Sequence, residues 1–494
     1  MNVYMITWVI EESFGGLTTA CLHRARVFAE KYGGSHVVTF AFTPKLKSTV
    51  ERLINEGMLS RSVNMINLYW HLADQTSSLR HNPQAEDRLL AELQDWEPAE
   101  ILPDERGLTR RTFRQEGGSP REVKTYTRED GTIFLSDEKF EIDGKPKRRL
   151  VIYNRAEEPV KTYPSASSLY RGWLREVIGS QRSLAIFDSG FVAEMMSAWQ
   201  APRATKVFAF HSSHILPGEN PLSGRLSPKH EKIIGSSSSW DGFVFLTEGQ
   251  RRDFAERFGN TPRTATIPNV ATAPPHGLAR ETPNLKQLVV VGRLSGLKRV
   301  DHAIRVVHEL RRRGERCRLA IVGEGAKREA LEELTRKLNL EDSIVFVGHS
   351  NDVSKYLRES SMLLFTSKSE GQGLALLEAQ LHGCVPVSYN VPYGPPSLIR
   401  HEKDGILVPA GNIDALANAV EALLKDTQRL EKLSRSGIAA AKRYFRMDIP
   451  RRWRILYLGL SLPKFAWKPY YTLCRAFSKR PLSPRSANPP NSKT

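Results

Sequence analysis

Two carboxylates eight positions apart, Glu370 and Glu378, bracket the turn Gly371-Gln372-Gly373 and the residue that follows it, Leu374. Just before them, Ser361-Met362-Leu363-Leu364-Phe365-Thr366 is an apolar run of the kind buried in parallel sheets. Just after, Leu374 to His382 has helical character and stops at Gly383. A strand, a glycine-bracketed loop and a helix N-terminus aim backbone N–H groups and a positive dipole end at an anion. Glu370 is expected at the mouth of that loop. Glu378 should lie about two turns further along, facing the same cleft if the helix begins near Gly373. A phosphate cradle beside carboxylates that accept hydroxyl protons suits a nucleotide bearing a sugar. Taken alone, carboxylates near a helix start also do no more than complement the dipole.

Three further groups could join this chemistry. Arg293 and Lys298 lie five residues apart, in a glycine-bearing loop that leaves the strand ending at Val291. Two cations so placed can neutralise a diphosphate leaving group, although a solvated surface pair reads the same way. Gly15-Gly16 falls between the first strand and the first helix, where a side chain would block a diphosphate and where a simple turn would equally use glycine. His211 follows the strand ending at Phe210, so it can reach a cleft and hydrogen-bond a sugar hydroxyl. Turn packing is the competing reading for His211, and His214 is expected to face away.

The elements that must hold these residues alternate strand and helix. Strands are expected at Val3 to Thr7, Val37 to Phe40, Leu184 to Phe187, Val207 to Phe210 and Phe243 to Leu246, with a helix from about Leu17 to Tyr32. From Leu288 a second series begins: Leu288 to Val291, Leu319 to Val322, Ile344 to Val347, Met362 to Phe365 and Val385 to Ser388, with helices at Arg299 to Arg313 and Lys327 to Leu338. That alternation implies doubly wound parallel sheets with ligands beyond the strands' carboxyl ends. Between the two parts of the first series, Glu129-Asp130-Gly131 and Asp143-Gly144 sit among short β segments (Val123 to Thr127, Thr132 to Leu135, Phe140 to Ile142, Leu150 to Tyr153), the signature of an antiparallel insertion. Its edge strands need covering, which points to self-association. The expected division is 1–80 and 161–275 for the first Rossmann-like domain, 81–160 for the insertion, 276–445 for the second domain, 446–467 for a helical segment, and 468–494 for a basic, proline-rich tail. Ala271 to Pro283 reads as the linker, and about Ile413 to Phe445 as one helical segment.

At 494 residues, 40% hydrophobic and 26% charged, the chain is a multidomain globular protein without a run apolar enough to span a bilayer. The N-terminus reads as a strand rather than a signal peptide, so the expected place is the cytoplasm. The four cysteines show no metal-ligand or disulfide spacing, and no carboxylate or Cys/His cluster suggests a metal. The net charge of +18 favours a polyanionic partner. No nucleic-acid-binding signature accompanies it, so an anionic membrane surface or a phosphate-bearing polymer is the expected partner instead. Phe465, Trp467, Tyr470 and Tyr471 near the basic tail could touch such a membrane, or pack back on the protein.

Together, Gly15-Gly16, Arg293, Lys298, Glu370 and Glu378 resemble the pattern of the retaining GT-B glycosyltransferases of family 4, and the resemblance is strongest from Val289 to Ala417. It implies an α/β GT-B fold: two Rossmann-like doubly wound domains, with the antiparallel β insertion in the N-terminal one. The first residues, the insertion, the Phe243 to Gln250 stretch, the Glu-Gly-Gln-Gly-Leu loop and Tyr393-Gly394-Pro395 are similar to the poly(glycerol-phosphate) α-glucosyltransferase branch. That branch implies a UDP-sugar donor, an anionic polyol-phosphate acceptor such as wall teichoic acid, no metal cofactor, and a homo-oligomer formed through the insertion. The same architecture implies N-acetylglucosamine transfer to serine-rich adhesins as an alternative.

The resemblance assigns the ribose to Glu378, a donor-sugar hydroxyl to Glu370, and the diphosphate to Arg293 and Lys298 with amides at Gly16 and at Gly371, Gln372, Gly373 and Leu374. His211 would orient the sugar, or steady developing positive charge near the anomeric carbon through its backbone carbonyl. Pro396-Ser397 departs from many relatives, so no donor contact is assigned there. A nicotinamide oxidoreductase is disfavoured because no Gly-x-Gly-x-x-Gly follows the first strand. A non-catalytic scaffold would be expected to have lost the cations or the carboxylates.

Overall fold

The computed structural model describes residues 2–76, 79–82, 85, 89–115, 121–271 and 284–462. Seven parallel strands form the first sheet, in the spatial order Arg263–Thr266, Gly242–Phe245, Ala204–Phe210, Ser183–Phe187, Asn2–Ile6, Ser35–Thr39 and Asn64–Asn67. Strand periodicity separates its two faces. Val3 and Met5 point to one side, where they pack with Cys21, Leu22, Ala25 and Phe28 of the helix Gly16–Tyr32. Tyr4 and Ile6 point to the other, into a core shared with Trp173 and Leu174 of the helix Ala166–Ile178.

The second sheet has six parallel strands in the order Ile344–Gly348, Arg318–Val322, Asn284–Val291, Ser360–Phe365, Val385–Tyr389 and Ile406–Val408. Leu288 and Val290 face the helices Val300–Arg312 and Ile413–Lys425, while Val289 faces Leu376 and Leu377 of the helix Leu374–Leu381. Near-continuous apolar strands covered on both faces are what a parallel sheet requires.

The insertion is a six-stranded antiparallel meander of Glu100–Pro103, Thr109–Gln115, Arg121–Thr127, Ile133–Ile142, Lys145–Tyr153 and Pro159–Tyr163. Both expected turns are present, and Asp143 and Gly144 each take positive φ (52° and 68°), as a tight two-residue hairpin demands. The two short segments expected before Asp143 are one ten-residue strand. The polar run between them, Ser136 to Lys139, stays in the sheet because neighbouring strands supply its partners. Arg148 makes two bonds to Asp137 (2.7 and 2.6 Å), and Glu138 accepts from Arg121 and Arg149. Tyr126, Phe134, Leu135, Leu150 and Ile152 share a core with Ile6, Val38 and Phe40, so the sheet is fused to the first domain.

Two other expectations change. The segment Ile413 to Phe445 is two helices, Ile413–Lys425 and Thr427–Phe445, separated at Asp426, whose carboxylate caps the second by accepting from Arg429 N at 2.9 Å. The helix Ile449–Leu460, expected as a separate C-terminal segment, lies on the first domain: Ile449, Trp453 and Leu456 enter the cluster of Val3 and Met5. Arg263 holds its end by donating to the carbonyls of Gly459 and Leu460 (2.8 and 2.9 Å). The linker from position 272 to Pro283 and the tail with Phe465, Trp467, Tyr470 and Tyr471 lie outside the described residues.

Candidate active site

The C-terminal half of the site grows from two adjacent strands. After Asn284–Val291 the chain turns at Gly292 and is pinned by Leu294 N–H donating to Glu324 O at 2.8 Å. After Ser360–Phe365, Thr366 Oγ1 donates to Lys298 O (2.8 Å) and Lys368 N–H to Leu297 O (2.7 Å). These two bonds tie the cationic loop to the carboxylate loop. As a result Lys298 Nζ lies 2.6 Å from Glu370 Oε1, a charge-assisted bond between a side chain 30% exposed and one 12% exposed. Lys298 Nζ also sits 5.4 Å from the Phe365 ring centre. Lys298 and Glu370, expected to serve different parts of a ligand, here neutralise each other.

Gly373, at φ 85°, turns the loop into the helix Leu374–Leu381. The helix starts at Leu374, as the sequence suggests, and Glu378 stands one turn into it rather than two. It lies four residues after Leu374 and therefore on the same face. Its carboxylate is half-buried, has no side-chain partner among the described residues, and is raised above the ordinary carboxylate range by burial. A carboxylate in that condition gains from hydroxyl donors.

The N-terminal half approaches these loops closely. A Cβ placed on Gly15 would sit 3.5 Å from an Arg293 guanidinium nitrogen, and one on Gly16 would sit 3.5 Å from Leu374 Cδ1. The glycine loop, the exposed Arg293 and the start of the Leu374 helix are thus within a side chain's reach of one another. His211 touches the carboxylate loop through its backbone: a Cβ on Gly371 would fall 2.5 Å from His211 O, too close for any other residue. Its ring is turned to Asp188, with Nε2 2.7 Å from Oδ1, and Arg24 holds the other oxygen of that carboxylate.

Gln372 behaves differently from its neighbours. Its side chain accepts from Asn269 N (2.8 Å) and donates to Asn269 O (2.9 Å), so it straps the two domains together and only its backbone remains for a ligand. His214 is buried, stacked on Tyr393 of the second domain at 5.8 Å, with both ring nitrogens lacking partners. Ser397 Oγ donates to Gly394 O (2.6 Å); with Pro396 and Tyr393 it lines a separate cavity of about 890 Å³ that also reaches Glu248 and Ile455. Asp188 and Arg24 are the site-proximal residues that sequence reasoning missed. The available signal was a charged residue directly after an apolar strand, Asp188 after Phe187.

Comparison with known proteins is consistent with this geometry. Residues 279–441 match the family described as glycosyl transferases group 1. The chain is 22% identical over 508 residues to poly(glycerol-phosphate) alpha-glucosyltransferase of Bacillus subtilis (strain 168), covering 92% of this chain and 74% of the relative. It is 21% identical over 499 residues to poly(ribitol-phosphate) alpha-N-acetylglucosaminyltransferase of Staphylococcus aureus (strain COL), covering 92% and 99%. A crystal structure of an S. aureus TarM point mutant in complex with fondaparinux, alpha-GlcNAc-glycerol and UDP superposes with a TM-score of 0.71 at 20% identity, covering 92% of this chain and 100% of that one. With its two Rossmann-like parallel sheets the chain has the GT-B fold, and residues 279–441 within it match the glycosyl transferases group 1 family.

Proposed function

We propose that this enzyme moves a hexose, glucose or N-acetylglucosamine, from a UDP-sugar to hydroxyls of an anionic polyol-phosphate polymer such as wall teichoic acid, with retention at the anomeric carbon. The observation that carries the reading is the Lys298–Glu370 pair at 2.6 Å, together with Glu378, which has no side-chain partner among the described residues, and a glycine loop that Arg293 approaches. A donor bearing both a diphosphate and sugar hydroxyls can satisfy every one of those groups at once. Its diphosphate would take Lys298 and Arg293, freeing Glu370 for a sugar hydroxyl, while Glu378 would accept from the ribose. Amides at Gly16 and at Gly371 to Leu374 would add donors to the phosphates.

In the reaction the acceptor oxygen bonds to the anomeric carbon on the face from which the UDP oxygen departs. The acceptor's proton passes to that departing oxygen, so no protein base is required. Lys298 and Arg293 act where charge develops on the diphosphate. His211 orients the sugar.

For the acceptor, the support is the net charge of +18 together with relatives named for glycerol- and ribitol-phosphate polymers. A repeating phosphate suits that surplus better than a neutral hydroxyl surface does. The same surplus supports work at the cytoplasmic face of an anionic membrane; among the described residues no helix is long and apolar enough to cross one. Self-association through the insertion is supported by its short edge strand Glu100–Pro103 and by the exposed Ile101 and Ile142.

The test is incubation with UDP-glucose or UDP-N-acetylglucosamine and glycerol- or ribitol-phosphate polymer. Sugar should appear on the polymer in α linkage, with UDP released. Apparent polymer affinity should fall steeply with added salt, through screening and counterion release. Transfer to a serine-rich peptide in preference to the polymer, or a salt-insensitive acceptor affinity, would replace the polymer by a protein acceptor. No UDP release from either donor would overturn the reading altogether.

A further inference from the structure

In the buried chain of polar groups Arg24, Asp188 and His211, only His211 has a role assigned by sequence. Arg24 comes from the helix Gly16–Tyr32, Asp188 follows the strand Ser183–Phe187, and His211 follows the neighbouring strand Ala204–Phe210. Their side chains are 5%, 0% and 8% exposed. Burial by itself would raise the Asp188 carboxyl, but Arg24 and His211 bring it below the ordinary range, so it is an anion that accepts on both oxygens. Oδ2 faces Arg24, and Oδ1 is 2.7 Å from His211 Nε2.

An acceptor-only carboxylate requires the hydrogen of a neutral imidazole to be on Nε2, which leaves the lone pair on Nδ1. Among the described residues Nδ1 has no hydrogen-bond partner. The backbone beneath the ring is fixed as well. His211 O abuts Gly371, and Gln250 Nε2 donates to Ser212 O at 2.9 Å. Ring and main chain are therefore both held, within the contact between the first domain and the Glu370 loop.

We propose that Asp188, itself oriented by Arg24, is a positioning residue that locks His211 in the Nε2–H tautomer, so that Nδ1 accepts a hydrogen bond from a hydroxyl of the donor sugar. This deepens the reading above and rests on it for the identity of the ligand. Arg24 matters because it demands an acceptor on its side of residue 188. In Asp188→Asn the amide oxygen must stay toward Arg24, which turns the NH₂ toward His211, forces the lone pair onto Nε2 and places the hydrogen on Nδ1. Combining Asp188→Asn with Arg24→Met lifts that demand, and the amide can turn its oxygen back to Nε2–H.

The experiment is ¹⁵N NMR of histidine-labelled protein above the usual histidine titration range, alongside kcat and KM for UDP release from UDP-glucose and UDP-N-acetylglucosamine. The expected results are Nε2–H in the native chain, Nδ1–H in D188N with kcat at least about tenfold lower, and recovery of both in the double variant. An unchanged tautomer in D188N, or a rate loss that the double variant does not reverse, would overturn the proposal. If D188N does not fold, the charge-free pair Arg24→Met with Asp188→Leu carries the test. It leaves Nε2 without an acceptor, so both tautomers should be populated, and a single Nε2–H signal would refute the lock. The tautomer is read without any donor, so a chain that turns over neither UDP-sugar sinks the proposed function while the ring signals still decide this assignment.

Discussion

At the scale of single residues, Lys298 and Glu370 balance each other's charge. Lys298 without Glu370 would be an unneutralised cation beside Phe365, and Glu370 without Lys298 a carboxylate only 12% exposed. Replacing Lys298 by Ala removes the cation from the leaving-group position. The expected result is a fall in kcat of about 10²- to 10³-fold, with an unfolding midpoint close to native, checked by steady-state UDP release and thermal denaturation. Glu378 differs because its proposed partner, a ribose hydroxyl, does not change during the chemistry. Glu378→Gln should raise the donor KM about tenfold or more and leave kcat within a few-fold, as loss of uniform binding predicts. Equal losses in kcat and kcat/KM would instead place Glu378 at the reacting centre.

That Lys298 and Glu370 come together could be read from sequence because each lies in the loop after a strong apolar strand, where a loop has few places to go. Asp188 and Arg24 could not be paired in advance. They are 164 positions apart, and only the stacking of the first helix on the sheet brings them together.

At the scale of elements, periodicity located the strands because parallel strands buried on both faces tolerate little polar interruption. It failed where partners come from a neighbouring strand, as at Asp137 and Glu138, and where a helix crosses to another domain. Nothing in the composition of Ile449–Leu460 says which domain it covers. Its Trp453 is 2% exposed, packs with Val3 and Met5, and lies 5.1 Å from the Arg24 guanidinium, while Asp448 at its cap pairs with Lys31. Trp453→Ala should cost about 3–5 kcal/mol. That loss should appear as faster amide hydrogen exchange in the strands Asn2–Ile6 and Ser183–Phe187. Faster exchange confined to the strands of residues 284–408 would mean that the helix stabilises the second domain instead.

At the scale of the whole molecule, net charge was legible and buried polarity was not. The pattern that marks His211 after its strand gave no warning that His214 and His230 would be sealed in aromatic surroundings. His214 lies against Phe254 and Tyr393, and His230 against Phe208 and Phe210. Burial, with Arg257 nearby, lowers His214 to about 4; burial, with His214 and Lys229 nearby, lowers His230 to about 3. An unfolded histidine titrates near 6.5, so below that pH the unfolded chain takes up protons that the folded chain refuses. Stability is therefore complete above about pH 6.5 and declines as pH falls toward the folded values, before most carboxylates begin to protonate.

His214→Phe isolates one of these contributions, because it keeps the ring stack and removes two nitrogens that have no partner. Urea denaturation near neutral pH should show the variant at least as stable as the native chain. At about pH 5 the variant's advantage should grow by about 2 kcal/mol, the linkage expected when one group titrates near 6.5 unfolded and about 4 folded. An advantage that stays constant between the two conditions would mean that His214 protonates as readily in the folded protein as in the unfolded chain, and that the Tyr393 contact is not the dry joint between the domains that the packing describes.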